Sequence, residues 1–108
     1  MTVELDRTSD GVVYGRARRV GSVADLARLG PQDVVVAASM PPGWATLLPE
    51  VAAVVLATGG ALSNTAIVLR ERGIPAVMGV GAAVGRLRPG QLLEVDAAHE
   101  RVRPIGED

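Results

Sequence analysis

The 108-residue chain has the length of one domain, and its 48% hydrophobic and 21% charged residues are typical of a folded globular protein. A net charge of -1 and an aromatic content of 2% exclude a basic surface for nucleic acid and an aromatic platform for stacking bases. With no Cys and one His, His99, the chain also lacks the residues for disulfides, thiolate chemistry or a multi-histidine metal site.

The N-terminal segment and the hydropathy pattern bear on location. Residues 1–10 are polar and acidic, unlike a signal peptide. No apolar run reaches the roughly 18–20 residues that a membrane span requires. We therefore expect a soluble, cytoplasmic protein with no nucleic-acid partner, no membrane partner and no metal site.

The predicted strands differ in how their apolar residues are arranged. Apolar and polar residues alternate over residues 13–20, which predicts a strand with one face in solvent. Continuous apolar runs in residues 33–38 and 51–56 predict strands buried on both faces, as in a parallel sheet. Shorter strands are predicted in the C-terminal half, at residues 76–78, 92–95 and 101–105.

Two serines mark the starts of the predicted helices. Ser22 and Ser63 are N-cap residues for helices over residues 23–29 and 64–72, and the second helix ends at Gly73. Single helical turns are predicted within residues 44–50 and 82–87. The middle of the chain thus reads strand, turn, helix, strand, which is typical of a parallel crossover unit. The ends read as antiparallel strands, so the sequence predicts one α/β domain over residues 1–108.

The turn before the second helix carries the candidate chemistry. Gly59 and Gly60 follow a buried strand, and Ser63, Asn64 and Thr65 open the helix. Free N–H groups at a helix start attract anions, and glycines let the backbone approach them closely. Residues 58–65, called the glycine lip below, therefore form a candidate phosphate-binding segment. An ordinary strand-to-helix turn with a serine cap explains the same residue types.

A longer pattern around the glycine lip, over residues 56–79, resembles the mobile, swivelling phosphohistidine domain of phosphoenolpyruvate-utilising enzymes. The family pattern has a Gly-Gly pair and a Ser or Thr before a His, followed by Ala-Ile-Val, an Arg-Glu pair and Gly-Ile-Pro-Ala-Val. The residues that match in register are Gly59-Gly60, Ser63, Ala66-Ile67-Val68, Arg70-Glu71 and Gly73-Ile74-Pro75-Ala76-Val77. The resemblance extends from Gly11 to about Ile105. It implies a swivelling β/β/α three-layer fold, with a mostly parallel central sheet and a small antiparallel layer.

The resemblance also implies a function and departs from it at one residue. In this family a His ring nitrogen takes a phosphoryl group from phosphoenolpyruvate or ATP, and the domain swings between two active sites. Asn64 stands at that position here. An imidazole has a free lone pair, whereas the amide nitrogen of Asn is only a donor and its oxygen is a poor nucleophile. We therefore expect Asn64 to hydrogen-bond phosphate without carrying it, and the isolated domain to be catalytically inactive.

Other residues are candidates for phosphate contact or for a replacement acceptor. Gly59, Gly60, Ser63 and Thr65 line the glycine lip, and the resemblance adds Arg70 as a phosphate or partner contact. Ser63 and Thr65 carry hydroxyls in the right place but have no adjacent base in the sequence. His99 falls in a predicted solvated turn between the last two strands, and nothing in the sequence places it beside the glycine lip.

The resemblance assigns the cofactors to other proteins. Magnesium, ATP or phosphoenolpyruvate would bind to an ATP-grasp nucleotide-binding protein or to a phosphoenolpyruvate-binding barrel, on separate chains, and this domain would bind none of them. Other functions fit the same residues. One alternative is a non-catalytic module that binds phosphate or a phosphometabolite or docks to a partner. Another is a subunit that closes over a partner's active site, and a third is an engineered His-to-Asn variant of an active carrier.

Overall fold

Six strands form one mixed sheet in the computed structural model, which describes residues 12–106. The polar segment at residues 1–10, Gly11 and the last two residues lie outside the described part. The strands are β1 (Val12–Arg19), β2 (Asp33–Ala37), β3 (Ala53–Leu56), β4 (Ala76–Val77), β5 (Leu92–Asp96) and β6 (Arg101–Pro104). Their order across the sheet is β4-β3-β2-β1-β5-β6.

Parallel pairing joins β1 through β4, and antiparallel pairing adds β5 to β1 and β6 to β5. This confirms the predicted α/β class with a mostly parallel sheet and antiparallel strands at the ends of the chain. The antiparallel strands are hydrogen-bonded to the parallel ones through β1, so both belong to one sheet. That sheet is curled, and β4 at one edge also contacts β5.

Two α-helices and three short 3-10 helices connect the strands. The α-helices are α1 (Pro42–Leu47) and α2 (Asn64–Glu71), and the 3-10 helices are Val23–Arg28, Gly81–Arg86 and Ala97–His99. The sequence predicted a helical turn from Trp44, but α1 begins two residues earlier. Proline is favoured at the first helical position, because its fixed φ suits the helix and its missing N–H would have no partner there. None of the helices in residues 12–106 is long and apolar enough to cross a membrane.

The core lies on both faces of the sheet. Val34 and Val36 of β2 pack in one apolar cluster, with Val13 and Leu93 among its members. The alternate β2 residues, Val35 and Ala37, face the other way, into a second cluster. That cluster includes the buried residues Ala45 of α1 and Leu69 of α2. The predicted burial of β2 and β3 on both faces is confirmed, since every residue of these two strands is buried.

Candidate functional site

The glycine lip leaves the sheet at the end of β3 and turns into α2. Thr58 N–H still donates to the Ala38 carbonyl (3.0 Å), and Gly59 then takes a φ of 99°. That left-handed conformation favours glycine, and a Cβ at Gly59 would lie 3.2 Å from the Met78 sulfur. At Gly60 a Cβ would meet nothing within 4 Å, so only the first glycine of the pair is required by the local geometry.

Ser63 caps α2 as the sequence predicted. Its Oγ accepts a hydrogen bond from Ala66 N–H (3.1 Å), and its carbonyl accepts from Ile67 N–H (3.1 Å). These bonds leave the N–H groups of Asn64 and Thr65 without an acceptor among residues 12–106. The first turn of α2 therefore presents two adjacent donors at the positive end of the helix.

The side chain of Thr65 points away from these donors. Thr65 is 7% exposed, and its Oγ1 donates to the Met40 carbonyl at 2.6 Å, in the loop before α1. This bond ties α2 to that loop and occupies the hydroxyl proton. Thr65 therefore presents its backbone N–H at the glycine lip and not its hydroxyl. The sequence pattern did not distinguish between these two groups.

Asn64 is the first residue of α2 and is exposed. Its side-chain amide has no hydrogen-bond partner within residues 12–106, so both its donor and its acceptor are open to a ligand or a partner protein. The neighbouring backbone donors and this amide can together hydrogen-bond a phosphoryl oxygen. They include no nucleophile that matches a neutral imidazole.

Arg70 lies on a different face of α2 from Asn64. Its Nη2 donates to the Ala61 carbonyl (3.0 Å), which ties the helix back to the glycine lip. Arg70 and Gly60 line a cavity of about 330 Å³, called the side pocket below, whereas Ser63, Asn64 and Thr65 do not. The structure thus divides the predicted phosphate-binding residues between the start of α2 and the side pocket.

His99 occupies the solvated turn that the sequence predicted, at the end of the 3-10 helix Ala97–His99. Its side chain is 70% exposed, and its Nδ1 lies 2.9 Å from Asp96 Oδ2. Loss of solvent raises the pKa of Asp96, but hydrogen bonds from the His99 side chain and backbone outweigh that effect. The pKa of this carboxyl therefore lies below its usual 3.8.

The turn that carries His99 borders the side pocket, which the sequence did not indicate. Ala97 and Glu100, on either side of that turn, line the same cavity as Gly60 and Arg70. Gly60 and Arg70 meet Ala97 and Glu100 there because the sheet curls. No group of three or more His, Cys, Asp or Glu side chains that could hold a metal occurs within residues 12–106.

Comparisons with known proteins show the family. Residues 29–100 match the family model of the PEP-utilising enzyme mobile domain. The chain is 46% identical over 86 residues to chondramide synthase cmdD of Chondromyces crocatus, which covers 80% of the chain and 2% of that protein. It is 40% identical over 87 residues to rifampicin phosphotransferase of Streptomyces sviceus, which covers 81% of the chain and 10% of that protein.

The fold has a counterpart among solved structures. A solution structure of Enzyme I superposes with a TM-score of 0.66 at 29% identity, covering 78% of this chain and 35% of that one. The chain therefore belongs to the mobile-domain family of PEP-utilising enzymes, the phosphohistidine carrier domains of phosphotransferases. It spans only a small part of each of the two relatives named above.

Proposed function

We propose that this chain is a mobile domain that does not carry a phosphoryl group covalently at residue 64. The observation that supports this is the position of Asn64, exposed at the first residue of α2, directly after the Ser63 cap. The resemblance places the acceptor histidine there. An amide has no free nitrogen lone pair with which to attack phosphorus, so the position can hydrogen-bond a phosphoryl group but cannot form the phosphoramidate.

In this proposal the domain acts with partner chains. An ATP-grasp protein, a phosphoenolpyruvate-binding barrel, or both, would bind ATP, phosphoenolpyruvate and magnesium. This domain would present the start of α2 to their active sites. Leu62 supports such docking, because this large apolar side chain is 91% exposed two residues before Asn64. Ile67, three residues after Asn64 in α2, is a second exposed apolar side chain, at 39%.

The first test compares the native chain with Asn64→His by intact-mass measurement. Both are incubated with phosphoenolpyruvate, ATP, magnesium and an extract of the source organism. We expect one phosphoryl adduct on Asn64→His and none on the native chain, because only the variant has an imidazole at the start of α2. Asn64→Gln is the matched control, since it changes the residue without adding a nucleophile.

Two results would contradict the expected labelling and change the proposal. An adduct on the native chain would mean that another residue is the acceptor, and Ser63, Thr65 and His99 would then be replaced in turn. An Asn64→His variant that stays unlabelled with every partner supplied would mean that the glycine lip no longer fits a phosphoryl donor site. A natural gene that encodes His at this position would identify the chain as an engineered variant of an active carrier.

A second function, non-covalent phosphate binding, is supported by the N–H groups of Asn64 and Thr65, which have no acceptor within the described residues 12–106. We expect inorganic phosphate and phosphoenolpyruvate to shift the backbone amide resonances of Gly59, Gly60 and Thr65 in a two-dimensional NMR titration. The reason is that the anion accepts hydrogen bonds from the N–H groups of Asn64 and Thr65 and interacts favourably with the helix dipole. Sodium chloride at equal ionic strength is the control. Unchanged resonances at millimolar phosphate would remove this function.

A further inference from the structure

The side pocket lies beside the glycine lip, between α2 and the turn that joins β5 to β6. Its volume of about 330 Å³ is at the small end of the range of roughly 300–1,000 Å³ for small-molecule sites. Much of its wall is apolar and comes from Ile74, Pro75 and Met78. Its other lining residues are Gly60, Ala61, Ala66, Leu69, Arg70, Ala76, Ala97 and Glu100.

Two opposite charges face this pocket from different elements. Arg70 projects from α2 and uses one guanidinium nitrogen on the Ala61 carbonyl, which leaves other N–H donors of its five. Glu100 directly follows the 3-10 helix Ala97–His99 and also lines the pocket. Within residues 12–106 neither side chain forms an ion pair, with the other or with a third residue. The pocket lining within these residues therefore combines a cation and an anion that form no ion pair with several apolar residues.

The backbone at Glu100 has the left-handed conformation in which the 3-10 helix Ala97–His99 ends. Glu100 has φ 56° and ψ 47°, and it is the non-glycine residue with positive φ within residues 12–106. A glycine or asparagine would adopt this conformation at lower cost. The chain instead has a carboxylate at this position of the pocket lining.

We propose that the side pocket binds a small zwitterion whose ammonium and carboxylate groups are joined by an apolar chain. The ammonium pairs with the Glu100 carboxylate and the ligand carboxylate pairs with Arg70. The methylene groups lie against Ile74, Pro75 and Met78. This function goes beyond the proposed one, because Asn64 does not line the pocket and no phosphoryl transfer is involved.

The test is an NMR titration of the full chain with 6-aminohexanoate as the zwitterionic probe. Hexanoate and hexylamine each keep the apolar chain and one of the two charges. We expect 6-aminohexanoate to shift the amide resonances of Gly60, Ala61 and Ala97 with a dissociation constant in the millimolar range, because the ligand is small. Each single-charge probe should bind at least about tenfold more weakly, since one charged hydrogen bond is lost.

Charge-removing variants assign each end of the ligand. Arg70→Gln should weaken 6-aminohexanoate about tenfold and abolish its advantage over hexylamine. Glu100→Gln should weaken it equally and abolish its advantage over hexanoate. Glu71→Gln is the matched control, since it removes a carboxylate from the exposed end of α2 outside the pocket and should change neither affinity. A variant that only distorted the fold would weaken the binding of all three probes equally. The relative affinities of the three probes therefore distinguish the loss of a charge contact from a change in the fold.

Several results would overturn this inference. They are unchanged resonances with all three probes, shifts confined to residues outside the pocket, and equal binding of hexanoate and 6-aminohexanoate by the native chain. An equal loss of all three probes in both charge-removing variants would also overturn it. None of these results bears on the phosphoryl adduct measured with Asn64→His.

Discussion

Replacing Gly15 with alanine is expected to destabilise the domain by about 2–3 kcal/mol. Gly15 is buried in the middle of β1, which pairs with β2 on one side and β5 on the other. A Cβ there would lie 2.6 Å from the Gln32 carbonyl oxygen and 2.9 Å from a methyl carbon of Val34. The nearest atom belongs to the backbone, so the strand itself has to move. Urea unfolding followed by circular dichroism would measure the loss.

Gly85→Ala is the matched control for Gly15→Ala. Gly85 lies in the 3-10 helix Gly81–Arg86, and a Cβ there would meet nothing within 4 Å. We expect this change to be neutral or to stabilise the domain by less than about 1 kcal/mol, because alanine restricts the unfolded chain. Equal losses in the two variants would mean that the close approach of Gln32 is not what requires glycine in β1.

Replacing Leu69 with alanine is expected to cost about 2–5 kcal/mol and to loosen both candidate sites. Leu69 is fully buried, and it packs α2 against the sheet in the cluster that contains Val54 and Leu56. The truncated side chain would leave a cavity that the surrounding strands cannot fill. Because α2 carries Asn64 at its start and Arg70 near its end, its displacement would disturb the glycine lip and the side pocket together.

The control for Leu69→Ala is the same substitution at an exposed site. Leu62→Ala removes the same atoms from a side chain that is 91% exposed, and we expect a change within about 0.5 kcal/mol. Thermal and urea unfolding of both variants would measure the difference. A small loss for Leu69→Ala would mean that α2 is held mainly by other contacts, such as the Thr65 hydrogen bond to Met40.

The separation of the two sites determines how their functions can be tested. The start of α2 presents the Asn64 and Thr65 backbone donors and the Asn64 amide to a partner or a phosphoryl group. The side pocket is lined by Gly60 and Ala61 of the glycine lip, but Ser63, Asn64 and Thr65 do not line it. Substitutions at Asn64 should therefore leave binding in the side pocket unchanged, and Glu100→Gln should leave the glycine lip intact.

The features that the sequence predicted are those that depend on neighbouring residues. The apolar runs of β2 and β3 predicted burial on both faces, because no polar side chain was available for a solvent-facing side. Ser63 and Gly73 predicted where α2 begins and ends. Both act locally, Ser63 by accepting the Ala66 N–H and Gly73 through its φ of 73°.

The tertiary structure alone decided features that depend on contacts distant in sequence. The hydroxyl of Thr65 turns inward because the loop before α1 brings the Met40 carbonyl within 2.6 Å, across 25 positions of sequence. Arg70 and Glu100 share one pocket because the curled sheet brings the β5–β6 turn close to α2. A sequence pattern reports periodicity and caps within a few residues. It carries no information about sheet curvature, so the Ser63 cap of α2 could be predicted and the side pocket could not.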